Sequence, residues 1–127
     1  MASILKVDTI TGVATAGSIA VTGEGNSTTT NLQQGLAKCW LNWRYTSNTY
    51  DDSFNISSGT DNGTGDYTHA FSNNMNNVNY ICHISLENNL NQLWTTVHTT
   101  SQFQSRTYTG SSNSDQHHFV SSNGDLA

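Results

Sequence analysis

A chain of 127 residues and 13.8 kDa has room for one domain and little more. Only 10% of its residues are charged, the net charge is -5, and the basic residues Lys6, Lys38, Arg44 and Arg106 are scattered. That excludes the clustered cationic surface required for nucleic-acid binding.

No apolar run is long enough to cross a bilayer, and the opening MASILKVDTITG lacks the basic-then-apolar order of a secretion signal. Neither membrane insertion nor export is expected. Asn, Ser and Thr make up roughly two-fifths of the chain, well above ordinary usage. Disordered chains of low hydrophobicity usually carry high net charge and few aromatics, whereas this one has low charge, no proline, three Trp, five Tyr and four Phe. Threonine and aromatics favour strands, and Asn, Ser and Gly favour turns. The composition therefore predicts a mainly β protein whose thin core gains from surface buried between subunits.

Residues 1–38 read as a separate N-terminal segment. SILKVDTI and GSIAVTG are two β-rich runs joined by TGVATAG, and Leu5, Val7, Ile19 and Val21 place one apolar face on a short hairpin. A lone hairpin is marginal in water, so this face is expected to pack on a neighbouring copy. In TTTNLQQGL, Thr30 and Gln33 fit a capping box, and Leu32 and Leu36 lie four apart on one helical face. One short helix of about two turns is predicted there, weakened by Gly35 and too short to stand alone. It serves either as a connector packed on the domain or as an element that meets its copies at a symmetry axis.

Residues 39–127 read as an antiparallel β-domain. CWLNWRYT alternates Cys39, Leu41, Trp43 and Tyr45 against Trp40, Asn42, Arg44 and Thr46. DSFNIS, DYTHAFSN, VNYICHISL, LWTTVHTT, QFQSRTYTG and HHFVSS bring the count to about seven short strands separated by turn signals. That spacing predicts a β-sandwich or jelly-roll-like fold. Between DSFNISS and DYTHAF, the stretch DNGTGD holds Asp61 and Asp66 but lacks the ligand spacing and distant Glu of a calcium loop. Its Asn-Gly pair reads as a hairpin turn.

Chemistry is sparse. Cys39 and Cys82 lie on strand-like runs, and with no export signal free thiols are favoured over a disulfide. The five histidines show no chelating spacing and read as polar residues on solvated strand faces, although one facing a threefold axis would be presented three times. Asp51 and Asp52 are adjacent in an expected loop and read as a solvated turn, not a hydrolytic pair. No nucleophile elbow or phosphate loop occurs, so no enzyme activity and no cofactor are expected. Aromatic faces beside amides and hydroxyls suit carbohydrate, and Trp40, Tyr50, Trp94 and Tyr108 are the candidate contacts.

MASILKVDTITG, AGSIAVTGEGN, TNLQQGL, DSFNISS, DNGTGDYT and the terminal GDLA resemble small virion structural proteins of marine tailed phages, often labelled tail fibres. The resemblance is weak over residues 78–116. It implies a homotrimeric fibre or capsid-surface appendage on the virion. Residues 1–38 would trimerise through Leu5, Val7, Ile19, Val21, Leu32 and Leu36 and attach to capsid or tail proteins. The β-domain would face a host cell-surface glycan. A lectin-like carbohydrate-binding module is the alternative.

Overall fold

The computed structural model describes residues 5–11, 19–22, 29–87 and 91–126, with the side chains at 33–34 and 91–96 left out of the account. It is mainly β, its sheets are antiparallel, and it forms two units, Met1–Gly35 and Leu36–Ala127.

In the first unit, β1 (Ala20–Thr22) pairs antiparallel with β2 (Thr29–Asn31), and the Leu32 amide extends the ladder to the Ile19 carbonyl at 2.8 Å. This is a different hairpin from the one expected. Residues 5–11 form no strand, and the expected loop, residues 11–17, lies outside the described residues from position 12 onward. Thr29 and Thr30 are β-branched and favour extended backbone. Thr30 is therefore taken up opposite Val21 and cannot act as a helix cap. The expected helix contracts to a single turn, α1 (Leu32–Gly35), since so short a segment cannot repay nucleation. Leu5 is 81% exposed, Val7, Ile10 and Val21 are also exposed, and Ile19 and Leu32 are half-buried.

The second unit begins on Leu36, itself exposed, and β3 starts at Ala37, so residues 36–38 lead directly into the β-domain. Its described strands are β3 (Ala37–Arg44), β4 (Thr49–Phe54), β5 (Ile56–Gly63), β6 (Asp66–Phe71), β7 (Ile81–Leu86), β8 (Asn91–His98), β9 (Gln102–Thr109), β10 (Ser112–Asn113) and β11 (His118–Asn123). One sheet has the order β4-β3-β11-β7, and the other runs β10-β9-β6-β5 with β8 also on β9.

The alternation expected for β3 is present, with Cys39, Leu41 and Trp43 buried and Trp40 exposed. Tyr45 falls beyond the strand in the 45–48 turn and is exposed. The core adds Tyr67 and Phe71 from β6, Phe103 from β9, Val120 from β11, and Met75 and Tyr80 from the β6–β7 connection. It thus draws on both sheets, and Trp43 meets Tyr67 at 5.6 Å and Tyr50 edge-on at 4.9 Å. Burying one aromatic of this size contributes roughly 4–6 kcal/mol as an upper estimate.

DSFNIS is not one strand. Asn55 takes φ +58°, a conformation that Asn tolerates better than most residues. Its side chain donates to the carbonyls of Lys38 and Asn73 and accepts the Asn73 amide at 2.7 Å. There the chain leaves one sheet at β4 and enters the other at β5. The DNGTGD turn is a hairpin, but its two loop residues are Thr64 and Gly65, while Asn62 sits at a register irregularity in β5. Gly65 has φ +62°, and a Cβ there would lie 2.5 Å from the Thr107 carbonyl.

Candidate functional site

Two histidines that were expected on solvated faces lie in the core. His69 on β6 and His118 on β11 are fully buried, as is Ser105 on β9 between them. Each falls at an inward position of its strand, so the strand period overrides the usual preference of the residue type. Their hydrogen bonds admit one neutral proton arrangement. His118 Nδ1 faces the Gln116 carbonyl at 3.1 Å and must donate, which leaves Nε2 to accept the Ser105 hydroxyl proton at 3.1 Å. Ser105 Oγ then accepts from His69 Nε2–H at 2.9 Å, and His69 Nδ1 accepts the Tyr50 hydroxyl proton at 2.9 Å.

The two Nε2 atoms are 3.3 Å apart, so protonating both rings would set two N–H groups and two positive charges against each other. Burial holds His69 well below the ordinary imidazole range, assisted by neighbouring His118. His118 is pushed down to about 4, chiefly by burial and against the opposing pull of the Gln116 carbonyl. A serine between two imidazoles suggests nucleophilic chemistry, but such chemistry requires the hydroxyl to meet a substrate. Ser105 has no exposed surface. The relay joins β4, β6, β9 and β11 across the two sheets.

The accessible chemistry lies on the outer face of the four-stranded sheet. Register sets Phe54, Trp40, Ser121 and His83 in one row across β4, β3, β11 and β7. The next row holds Asp52, Asn42, Phe119 and Ser85. Trp40 is directly opposite Phe54 and diagonal to Phe119, a separation of roughly 7–8 Å that large side chains span. Trp40 and Phe119 are each 40% exposed and Phe54 is 51% exposed. Clustered exposed aromatics of this kind mark contact surfaces. Trp40 and Phe119 border a hollow of about 470 Å³ whose lining also includes Asn42, Asp52, His83 and Ser121. That volume falls in the range of small-ligand sites.

Beyond the second row is a charged edge. Arg44 Nε donates to Asp51 Oδ1 at 2.8 Å, His117 Nδ1 meets Glu87 at 2.8 Å, and the Tyr45 ring packs on His117 at 4.9 Å. The Arg44 hydrogen bond holds Asp51 below the usual carboxylate range. Asp51 and Asp52 therefore stand on β4 and not in a loop. One is paired with Arg44 and the other lines the hollow.

Of the four candidate sugar contacts, Trp40 lines this hollow. Tyr50 lies on β4 with its ring against Trp43 and its hydroxyl on His69, so it belongs to the core. Tyr108, half-buried, lies on β9 of the other sheet, and Trp94 stands in register opposite Arg106 on β8. Phe119, Asp52 and His83 are the contributors that the sequence reading passed over. The signal for Phe119 is in HHFVSS, where an inward His118 and Val120 require an outward Phe119.

The two cysteines are free. Ser122 stands opposite Cys39 on one side and Cys82 on the other. Two strand spacings, roughly 9–10 Å, separate the thiols, beyond the reach of a disulfide. Cys39 and Ser122 hydrogen-bond at 3.0 Å, and burial pushes the Cys82 thiol up to about 12. Among the described residues no group of three or more His, Cys, Asp or Glu side chains is placed to hold a metal ion, and no helix is long and apolar enough to cross a membrane. Compared with known proteins, the chain matches no protein family, no curated protein and no solved structure.

Proposed function

We propose that the chain is a non-enzymatic structural protein of a phage virion, a homotrimeric fibre or capsid-surface appendage that contributes to particle assembly and host adsorption. In this reading the N-terminal segment trimerises and attaches to capsid or tail proteins, and the β-domain is displayed at the virion surface. The two sheets enclose their common core as a sandwich of jelly-roll type, a reading supported by inward side chains from both and by the Tyr50–His69–Ser105–His118 relay between them.

The observation that carries the assembly reading is the exposure of Leu5, Val7, Ile10 and Val21 on a unit whose described ladder is three residues long. An isolated two-stranded ladder is marginal in water, and burial against copies would supply the missing core. The test is the solution mass by light scattering of the full chain and of residues 36–127. A trimer that falls to a folded monomer on truncation is expected. A full chain that stays monomeric at high concentration would refute the reading.

The second reading, a lectin-like module acting as a monomer, is favoured by the aromatic hollow on the β4-β3-β11-β7 sheet. It predicts sugar binding by residues 36–127 alone.

A further inference from the structure

We infer that the hollow on the outer face of the four-stranded sheet binds a neutral pyranose sugar, stacked on Trp40 and Phe119 with its hydroxyls on Asp52 and Asn42. The inference rests on the adsorption reading for where such a sugar would be met, on a host surface, while the binding itself is argued from the sheet.

The apolar surfaces are aromatic faces, which accept the C–H face of a sugar ring. Apart from Phe54 at the β4 end, the other positions in the two rows carry hydrogen-bonding groups: Asn42 and Asp52 on one side, Ser121, His83 and Ser85 on the other. Positions within a row repeat at the strand spacing of roughly 4.8 Å, and the two rows lie two residues, roughly 6.8 Å, apart, a grid comparable in size to a pyranose. Asp52 Oδ1 already accepts the Ser53 amide at 2.8 Å, but an apolar partner would strip water from the remaining polar atoms without replacing its hydrogen bonds, a costly outcome. A ring bearing a hydroxyl on most of its carbons satisfies them. The shape of the site also favours a small ligand over a flat protein face, since the hollow of about 470 Å³ lies between the aromatic side chains.

Charge selects the class of sugar. The hollow is lined by one carboxylate, Asp52, and among the described residues by no lysine or arginine. Of the two cations on β3, Arg44 is committed to Asp51 and Lys38 is buried, and neither lines the hollow. A sialic acid, uronic acid or sulfated sugar would bring its anion beside Asp52 with no cation to meet it. A neutral sugar offers hydroxyl donors to that carboxylate in charge-assisted hydrogen bonds.

The experiment is calorimetric titration of the full chain with methyl glycosides of glucose, mannose and galactose and with N-acetylglucosamine, beside 3′-sialyllactose and glucuronic acid. At least one neutral sugar is expected to bind, and both anionic sugars more weakly. Trp40→Ala and Phe119→Ala, at exposed positions that leave the core intact, should each weaken binding by roughly tenfold or more, as for an anchoring aromatic. Asp52→Asn, which keeps the shape, should weaken the neutral sugar and narrow the gap to 3′-sialyllactose.

Equal or tighter binding of the anionic sugars would overturn the inference, as would neutral binding that survives Trp40→Ala. Binding of none of the probes by a chain that light scattering shows to be trimeric would overturn it while leaving the assembly reading standing. A Trp40→Ala variant that changes the solution mass and no sugar affinity would also overturn it, assigning the face to contact between copies.

Discussion

Acid should unfold the β-domain well above the pH at which its carboxylates titrate, because His69 and His118 are built in as neutral rings. Unfolded imidazoles titrate near 6.5, whereas the native His118 does so at about 4 and His69 lies well below its ordinary range. The sign follows from proton counting. Below 6.5 the unfolded chain takes up a proton on each ring and the native chain does not, so stability is complete above 6.5 and lost as pH falls toward 4. By pH 5 the His118 ring alone accounts for a loss of about 2 kcal/mol, and His69 acts in the same direction. That is a large share of the 5–15 kcal/mol typical of a domain. With a urea dependence of roughly 2 kcal/mol per molar, the midpoint should fall by at least about 1 M between pH 7.5 and 5. Asp51, held low by Arg44, loses its contribution only below the ordinary carboxylate value of 3.8 and stays outside this window. Urea titrations at the two pH values, with imidazole proton shifts followed by NMR in the native state, test the reasoning. A midpoint unchanged across that range, or two native rings titrating near 6.5, would refute it.

Gly59→Ala should be severe, since its Cβ would fall 2.3 Å from Trp43 Cζ3 and 2.5 Å from the Tyr50 hydroxyl. Overpacking of this kind costs roughly 1–3 kcal/mol, readable as a lower urea midpoint with altered near-ultraviolet dichroism from Trp43. Cys39 and Cys82 should resist alkylation at pH 8 in the native state, burial having raised both thiols, and should react together in urea. A Cys39–Cys82 disulfide in the native protein, found by mass spectrometry, would contradict the strand order.

Much of the β-domain was legible because the strand period is a local property. In CWLNWR the alternation alone separates Cys39, Leu41 and Trp43 from Trp40, and the same rule in DYTHAF aligns His69 with Tyr67 and Phe71. Parity thus pointed inward for both buried histidines, and the expectation of a solvated face came from the habit of the residue type. Asn55 was misread for a different reason. Alternation runs on through Phe54 and Ile56, and only the left-handed backbone at Asn55 shows that the chain changes sheets there. Asp51 and Asp52 read as a loop because two adjacent carboxylates look like a solvated turn, whereas both stand on β4. The hollow was beyond local reading altogether. It exists because the order β4-β3-β11-β7 brings positions 52, 40, 119 and 83 side by side, and strand order is set by packing over long separations.

That order also has a kinetic consequence. β11 lies in the interior of its sheet, between β3 and β7, yet its contact with β3 closes over 83 residues of sequence at Cys39 and Ser122. Closure over such distances is slow. A chain emerging from the ribosome would make β3 long before its partner, leaving an open edge that carries Leu41 and Trp43 and invites wrong pairing. The sheet that bears the aromatic hollow therefore cannot form until residues 118–123 have been synthesised, so this face is completed only well after β3 has left the ribosome.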